Sequence, residues 1–218
     1  LIVGLVACLA ANLATLLFDH IGLDQAVAAR AALFLHVTSV GMPAFACYRA
    51  LYGYTTSINQ TKPIMIIAIF GLLFNIASNW LLVFGNWGFP QLGAVGCAVS
   101  TAVGMWLMLI AMVVWIKLSS AYRMTYPFTK MEGPDWKEIR EMFRLGLPIG
   151  VTYFAEVSAF GLISLLVARF GVVQVSAHQV ALNFSSLVFM VPLSFGIGLL
   201  TRVGQAMGEG NPVRARFV

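Results

Sequence analysis

The sequence contains few charged residues. Asp, Glu, Lys and Arg together make up 10% of its 218 residues, whereas a soluble domain carries about 25%. Hydrophobic residues make up 60%, which is more than a soluble domain of this size can remove from water. Several runs of about 20 mostly apolar residues are long enough to cross a hydrocarbon core about 30 Å thick. The composition therefore predicts an all-α integral membrane protein, a polytopic helical bundle in a lipid bilayer.

Other absences argue against enzymes and nucleic-acid binders. The chain has no phosphate-binding loop, no metal-ligand spacing and no nucleophile elbow, so we predict neither catalysis nor a cofactor. Its three cysteines show no paired spacing, and we expect small buried apolar residues at Cys8, Cys47 and Cys97. The net charge of +5 is spread over the loops, which is not the footprint of a nucleic-acid partner. The chain opens inside an apolar run at Leu1, and we expect it to be part of a longer protein whose remaining helices are its partners.

Six apolar segments are long enough to span a bilayer. Pro63, Pro148 and Pro192 lie in or beside three of them, and membrane helices tolerate proline as a kink. Gly41 and Pro43 interrupt the second segment and predict a bent helix. We predict six spans, at 1–18, 28–54, 63–85, 92–117, 145–169 and 176–200.

The connection over 118–144 is the most charged stretch. Asp135 with Glu138 three residues later predicts a helix start, and the residues after it predict an interfacial amphipathic helix that leads into the fifth segment. If this stretch and the C-terminal tail are cytoplasmic, eleven of the 13 basic residues share that side and two, Arg30 and Arg169, do not. That distribution follows the positive-inside rule and gives the predicted orientation.

Glu156 is the one acidic residue that falls well inside an apolar segment. The other seven Asp and Glu residues lie in predicted loops or the tail. A charged group near the bilayer centre costs at least about 2.5 kcal/mol and marks a functional site by default. Glu156 is therefore a candidate to bind and release H⁺ or Na⁺, with a structural carboxylate as the alternative.

A polar stripe runs along the sixth segment. Gln179, Asn183 and Ser186 are spaced i, i+4 and i+7 and share one helical face, with His178 beside it. Phe160 lies one turn beyond Glu156, and the two segments form a hairpin, so we expect these polar faces to meet. Hydrogen bonding between helices, without a ligand, is the alternative for each residue.

The third segment carries two amides on one face. Asn75 and Asn79 are spaced i, i+4, and amide oxygens coordinate hard cations such as Na⁺ or take hydrogen bonds between helices. The second segment carries His36, for which a hydrogen-bonded structural role and a proton relay are the two interpretations.

Several stretches resemble one transporter family. The run Ala177-His178-Gln179-Val180-Ala181-Leu182-Asn183-Phe184-Ser185-Ser186-Leu187, followed by Arg202-Val203-Gly204, resembles the seventh-to-eighth helix region of NorM-type MATE multidrug exporters. So do Gly146-Leu147-Pro148-Ile149, Gly71-Leu72-Leu73-Phe74-Asn75 and Leu92-Gly93-Ala94-Val95-Gly96-Cys97. The resemblance covers the whole chain and implies helices three to eight of twelve. Residues 1–117 are then the N-lobe helices, 118–144 the linker between lobes and 145–218 the start of the C-lobe.

The resemblance also implies roles for single residues. Glu156 matches the helix-seven carboxylate of cation coupling, and we consider it the possible Na⁺ ligand. Asn75, Asn79 and Thr101 match the polar cluster of the N-lobe, which we assign to cation coupling. Two further family carboxylates lie on helices one and ten, which have no counterpart here. Substrate binding is assigned to two matched positions and two members of the stripe: Phe160, Gln179, Asn183 and Ser186.

These observations predict a multidrug exporter of the bacterial inner membrane. We expect antiport of amphipathic, cationic small-molecule drugs against Na⁺ or H⁺. A lipid-linked oligosaccharide flippase of the same superfamily is one alternative, although its pyrophosphate cargo calls for more cations in the spans than this sequence has. A membrane scaffold that does not transport is the other alternative, and Glu156 with the matching stripe speaks against it.

Overall fold

A computed structural model describes residues 2–15, 25–88, 90–122, 135–210 and 212–217, and these parts of the chain contain helices and turns without a β-strand. The chain divides into two compact units, Leu1–Pro127 and Phe128–Val218. Helices α1 to α5 belong to the first unit and α6 to α8 to the second. Their bounds are α1 Ile2–Thr15, α2 Gln25–Ser39, α3 Met42–Ser57, α4 Lys62–Leu82, α5 Ala94–Leu118, α6 Trp136–Ala168, α7 Val172–Gly208 and α8 Pro212–Arg216.

Helix α5 is the centre of the first unit. It packs against α2, α3 and α4, while α1 packs against α2 and α3. Glycines bring the α4–α5 pair close, since a Cβ on Gly96 would lie 2.6 Å from the carbonyl oxygen of Leu82 and one on Gly71 would lie 2.9 Å from Sδ of Met108. Small residues at such contacts are typical of helix packing in membranes. The buried cluster between the helices consists of Tyr48, Ile67, Met112, Ile116 and Tyr122.

The second predicted segment is a broken helix, as Gly41 and Pro43 predicted. Its halves, Ala29–Ser39 and Met42–Ser57, are bent by 41°. The break frees a backbone carbonyl at Val40, and the indole N–H of Trp106 on α5 donates a hydrogen bond to it at 3.2 Å. A membrane protein tolerates such a break when neighbouring groups satisfy the freed backbone.

A short turn joins α4 to α5. It contains one turn of 3-10 helix, Asn86–Gly88, in which Trp87 has a φ of 59°. The Trp87 ring is exposed and meets Trp80 edge to face, with ring centroids 6.3 Å apart. Aromatic side chains of this kind concentrate at membrane–water interfaces, which agrees with the predicted loop position.

Helix α6 is longer than the predicted fifth segment. Its cap forms as predicted, since the backbone N–H of Lys137 donates to Oδ1 of Asp135 at 2.8 Å. The structure differs in having no separate interfacial helix after that cap, because α6 continues unbroken from Trp136 past Pro148 to Ala168. The backbone hydrogen bonds of a helix form as well between charged residues, such as those of the first turns, as between apolar ones. Hydropathy alone therefore does not mark where the helix starts. Residues 123–134 of the predicted linker lie outside the described residues.

Four described helices are long and apolar enough to span a bilayer, and the bent pair makes a fifth candidate. These five correspond to the predicted segments two to six. The first predicted segment contains α1, whose 14 residues extend about 21 Å and fall short of a hydrocarbon core of about 30 Å. Residues 16–18 of that prediction lie outside the described part of the chain. The protein is thus a helical, multi-pass membrane protein.

Candidate functional site

The two amides of α4 form a bonded pair. Nδ2 of Asn79 donates to Oδ1 of Asn75 at 2.8 Å, and both side chains are half-buried. Oδ1 of Asn79 is buried and accepts no hydrogen bond from any described residue. A buried carbonyl oxygen without a donor is costly unless a donor or a cation reaches it. The pair therefore presents one available oxygen ligand inside the first unit.

Thr101, which the sequence assigned to the same cluster, bonds to its own helix. Its hydroxyl donates to the carbonyl oxygen of Cys97 at 2.9 Å. This common bond uses the hydroxyl proton, so the oxygen of Thr101 keeps only acceptor capacity. The structure does not join Thr101 to Asn75 or Asn79 by a hydrogen bond.

Ser100 is a buried polar residue that sequence reasoning missed. It is 1% exposed, and its hydroxyl bonds to no described residue. Ser100 lies midway between Gly96, which approaches Leu82, and Gly104, which approaches Phe74. The helices are antiparallel in this register, so Ser100 lies at the level of α4 between Asn75 and Asn79. The spacing Gly96, Ser100, Gly104 was the available signal, because small residues four apart mark a helix-packing face.

Glu156 lies in the middle of α6. Its side chain is exposed and has no hydrogen bond or ion pair with any described residue. Phe160, one turn further along the same face, is also exposed. The described part of the second unit thus leaves the Glu156 carboxylate without a partner.

The polar stripe of α7 does not meet Glu156 as the sequence led us to expect. Gln179, Asn183 and Ser186 are all exposed and hydrogen-bond to no described residue. The half-buried positions instead include Ser158 and Ser164 on α6, with Val175, His178 and Leu182 on α7. The hairpin thus packs through a neighbouring face, which leaves the stripe and Glu156 uncovered. An i, i+4 pattern fixes which residues share a face but does not fix the rotation of that face toward the partner helix.

The two membrane histidines have different surroundings. Nδ1 of His36 bonds to Oδ1 of Asn12 on α1, and Nδ2 of Asn12 donates to Oγ of Ser39 at 3.1 Å and to the carbonyl oxygen of Cys8 at 2.7 Å. This network ties α1 to α2 and agrees with the structural interpretation of His36. His178 is half-buried, and its Nε2 has no partner among the described residues.

Clusters of classical metal ligands do not occur in the described ranges. No group of three or more His, Cys, Asp or Glu side chains is placed there to hold a metal ion. The three cysteines are free thiols, each half-buried. Among the described residues, the oxygen-bearing side chains discussed above are thus the groups that suit a hard monovalent cation.

The comparison with protein-family models decides the classification. The model of the MatE family matches residues 1–81 and 148–218, which is more than half of the chain. The chain belongs to the MatE family. The predicted membership of the MATE family is thereby confirmed.

Curated members of this family resemble the chain along most of its length. It is 38% identical to the multidrug resistance protein NorM of Photobacterium profundum over 94% of the chain, which covers 45% of that protein. It is 42% identical to NorM of Vibrio cholerae over 85% of the chain and 41% of that protein. It is also 42% identical to the multidrug resistance protein PmpM of Pseudomonas aeruginosa over 85% of the chain and 39% of that protein. The chain spans less than half the length of these relatives.

A solved transporter has a similar backbone. The structure of the MATE transporter NorM-NG, determined as a complex with a monobody, superposes with a TM-score of 0.65 at 29% sequence identity. The match covers 81% of this chain and 38% of NorM-NG. The predicted MATE-like helical fold is thereby confirmed.

Proposed function

We propose that the protein carrying this chain exports amphipathic, cationic drugs across the bacterial inner membrane in exchange for Na⁺ or H⁺. The names of the relatives support drug export, since they are multidrug resistance proteins. Glu156 carries the coupling part of the proposal. It is a carboxylate in an apolar helix with no partner among the described residues, and its charge is stabilised when a cation binds.

The coupling step assigned to Glu156 is competition. A cationic drug and an inward-moving Na⁺ or H⁺ neutralise the same carboxylate, so binding of one weakens binding of the other. Alternating access between two helical bundles then exposes the site to one side at a time. The membrane potential supplies about 2.3 kcal/mol per charge per 100 mV to the inward step. Coupling therefore needs a carboxylate without a permanent internal cation, and Glu156 meets that requirement among the described residues.

A second polar group lies in the first unit. We assign cation coupling there to Asn75, Asn79 and Thr101, and we add Ser100 because it is buried at the same level. The available Oδ1 of Asn79, together with the hydroxyl oxygens, offers neutral ligands. Neutral oxygens favour a weakly held monovalent ion, which an exchanger has to release again.

The drug itself is assigned to the exposed side chains of α6 and α7. Phe160 offers an aromatic face to a cation, and Gln179, Asn183 and Ser186 offer adaptable hydrogen bonds. None of the four side chains forms a hydrogen bond with a described residue. Uncommitted side chains of mixed character suit a site that accepts drugs of different shapes.

The proposed orientation puts residues 118–144 and the C-terminal tail in the cytoplasm. The distribution of basic residues supports it, with eleven of 13 on that side. Cysteine labelling with a reagent that does not cross the membrane tests it: a cysteine at Glu138 of the full-length protein should stay unlabelled in intact cells. Labelling of that cysteine from outside would show that the proposed orientation is wrong.

The coupling proposal is tested by Glu156→Gln in the full-length protein. This change keeps the size of the side chain and removes its charge. We expect drug flux driven by an imposed Na⁺ or pH gradient in proteoliposomes to fall by about a hundredfold, since an essential charge contact is worth about 3 kcal/mol. Separate Na⁺ and pH gradients identify the ion.

Glu138→Gln is the matched control, because Glu138 lies on the same helix in its charged first turn. It should transport at the wild-type rate. Wild-type flux in the Glu156→Gln protein, at equal expression and membrane insertion, would refute the assignment of coupling to this carboxylate.

A further inference from the structure

The first three turns of α6 carry three cations on one face. Lys137, Arg140 and Arg144 are spaced i, i+3 and i+7, so their side chains project from the same side of the helix. All three are exposed. Met142 and Phe143 on the same turns lie outside this face and are exposed apolar residues. We call Lys137, Arg140 and Arg144 the basic face of α6.

The basic face has no partner among the described residues. None of its three side chains forms an ion pair or a hydrogen bond with a described residue, although Glu138 and Glu141 lie on the same helix. Lys and Arg side chains are rarely buried without a partner, so three unpaired ones close together are favourable only in water or beside an external anion. The face is thus free to bind an anion.

A groove accompanies this face. Its volume is about 900 Å³, and the described residues that line it are Lys137, Arg140, Glu141, Arg144 and Leu145. That volume is large enough for a phosphate with the glycerol attached to it. The groove ends at Leu145, where the charged part of the helix gives way to its apolar part.

The length of α6 places the groove beside lipid headgroups. The helix has 33 residues and extends about 50 Å, while the hydrocarbon core measures about 30 Å and the bilayer with headgroups about 40–45 Å. The apolar part of α6 starts at Leu145, so the charged turns before it reach through the headgroup layer. Lys and Arg at that depth meet lipid phosphates directly.

We propose that the basic face of α6 is a binding site for the headgroup of an anionic phospholipid, with Arg140 and Arg144 on the phosphate. The planar guanidinium group matches two phosphate oxygens at once, and Lys137 adds a point charge. A zwitterionic lipid fits less well, because its ammonium group is repelled by the same three cations. A cationic drug is repelled for the same reason, so this site is separate from the proposed drug site and does not depend on the proposed function.

Lipid binding to the purified full-length protein tests the proposal. The probes are phosphatidylglycerol and phosphatidylcholine, titrated in detergent and followed by native mass spectrometry. We expect phosphatidylglycerol to bind at least about tenfold more tightly than phosphatidylcholine, since each basic residue near a membrane surface adds about 1 kcal/mol with an anionic lipid. In the triple variant Lys137→Gln, Arg140→Gln and Arg144→Gln this preference should disappear.

A control variant separates the site from general surface charge. Lys62→Gln, Arg202→Gln and Arg216→Gln remove the same three charges from residues that are also exposed and lie on other helices. This control should bind phosphatidylglycerol within about twofold of the wild-type protein, a difference below about 0.5 kcal/mol that surface changes away from a site produce. An equal loss of affinity in both triple variants would overturn the proposal.

A variant that gains affinity provides a second test, which does not require the protein to fold with all three basic residues replaced. Glu141 is the carboxylate among the described residues lining the groove, and Glu141→Gln removes its repulsion of the phosphate. We expect phosphatidylglycerol to bind about threefold more tightly, which is what one exposed charge contributes. Unchanged or weaker binding would contradict the proposal.

Three results with the wild-type protein would also contradict it. The first is full displacement of the lipid by inorganic phosphate at equal concentration, which would indicate a site for free phosphate. The others are equal binding of phosphatidylcholine, and no bound lipid because another part of the chain fills the groove.

Discussion

The two units of the chain differ in how they hold their side chains. The first unit encloses fully buried residues, including Met112 and Thr55, and it also buries the polar side chains of Ser39 and Ser100. In the second unit, Ala206 is the one buried residue among those described. Since both units are built from apolar helices of similar composition, composition does not explain the difference. Within this chain it follows from helix number, because a five-helix unit can surround a helix such as α5 and the α6–α7 hairpin cannot. The chain spans less than half the length of its relatives, so the difference applies to these 218 residues.

The polar groups of the two units differ in the same way. In the first unit they bond across helices, as Asn12 does to His36 and Ser39. In the second unit Glu156 and the stripe of α7 bond to no described residue. Groups that are satisfied internally stabilise a fold, whereas unsatisfied groups at this depth are available to ligands. Substitutions should therefore affect stability in the first unit and transport in the second.

The largest expected effect on stability is at Met112. Met112→Ala leaves a cavity where the side chain is fully buried beside Thr55, and we expect the free energy of unfolding to fall by about 3 kcal/mol. Phe184→Ala in the second unit is the control, because Phe184 is 70% exposed and should change stability much less. Thermal unfolding of the purified 218-residue chain measures both, and similar losses would remove the contrast between the units.

The next largest expected effect on stability is at a close contact between two helices. In Gly96→Ala the new Cβ meets backbone, the carbonyl oxygen of Leu82, at 2.6 Å, so α4 and α5 have to move apart at a cost of about 2 kcal/mol. Gly198→Ala on α7 adds a Cβ with nothing within 4 Å and should raise stability slightly, because alanine favours helix. The pair is measured by chemical denaturation in one detergent. Destabilisation by Gly198→Ala would show that α7 is packed as tightly as α4.

Substitution of two asparagines tests the difference between the polar groups of the two units. Asn12→Ala removes the bonds to Ser39 and His36 and should lower the free energy of unfolding by about 1.5 kcal/mol, with transport reduced only as far as the protein unfolds. Asn183→Ala should leave the unfolding temperature unchanged and lower the apparent affinity for drugs. Transport assays and melting curves on the same preparations distinguish the two outcomes, and the opposite assignment of effects would be decisive against our interpretation.

The smallest effect is expected at the start of α6. Asp135→Ala removes the bond that Oδ1 accepts from the N–H of Lys137 and should cost about 1 kcal/mol. Asp135→Ser keeps an N-cap and should recover most of that loss. Hydrogen exchange of the amides near Trp136 measures local opening at this end. Equal exchange in both variants would mean that the cap does not hold the helix start.

Much of the fold was predictable from local patterns. Gly41 and Pro43 predicted the break in the second segment, Asp135 predicted the start of α6, and Asn75 with Asn79 predicted a shared face that the structure shows as a hydrogen bond. Each of these depends on residues within a few positions of one another. Local chemistry is enough to fix them.

The parts that were not predictable depend on contacts between helices. Burial of Ser100 needs the register of α5 against α4, and the uncovered state of Glu156 needs the rotation of α6 against α7. A helical pattern gives neither quantity. Hydropathy also separated the predicted amphipathic helix from the fifth span at residue 145, because it follows the solvent preference of side chains and not the hydrogen bonding of the backbone, which continues from Trp136 past that point.

The proline inside α6 has a mechanical consequence. Pro148 lies between Lys137 and Glu156, which are about 29 Å apart along the helix. Proline removes one backbone hydrogen bond from a helix and allows it to bend at that point. A lipid or protein that binds the charged end of α6 can therefore change the direction in which the carboxylate of Glu156 points by changing this bend.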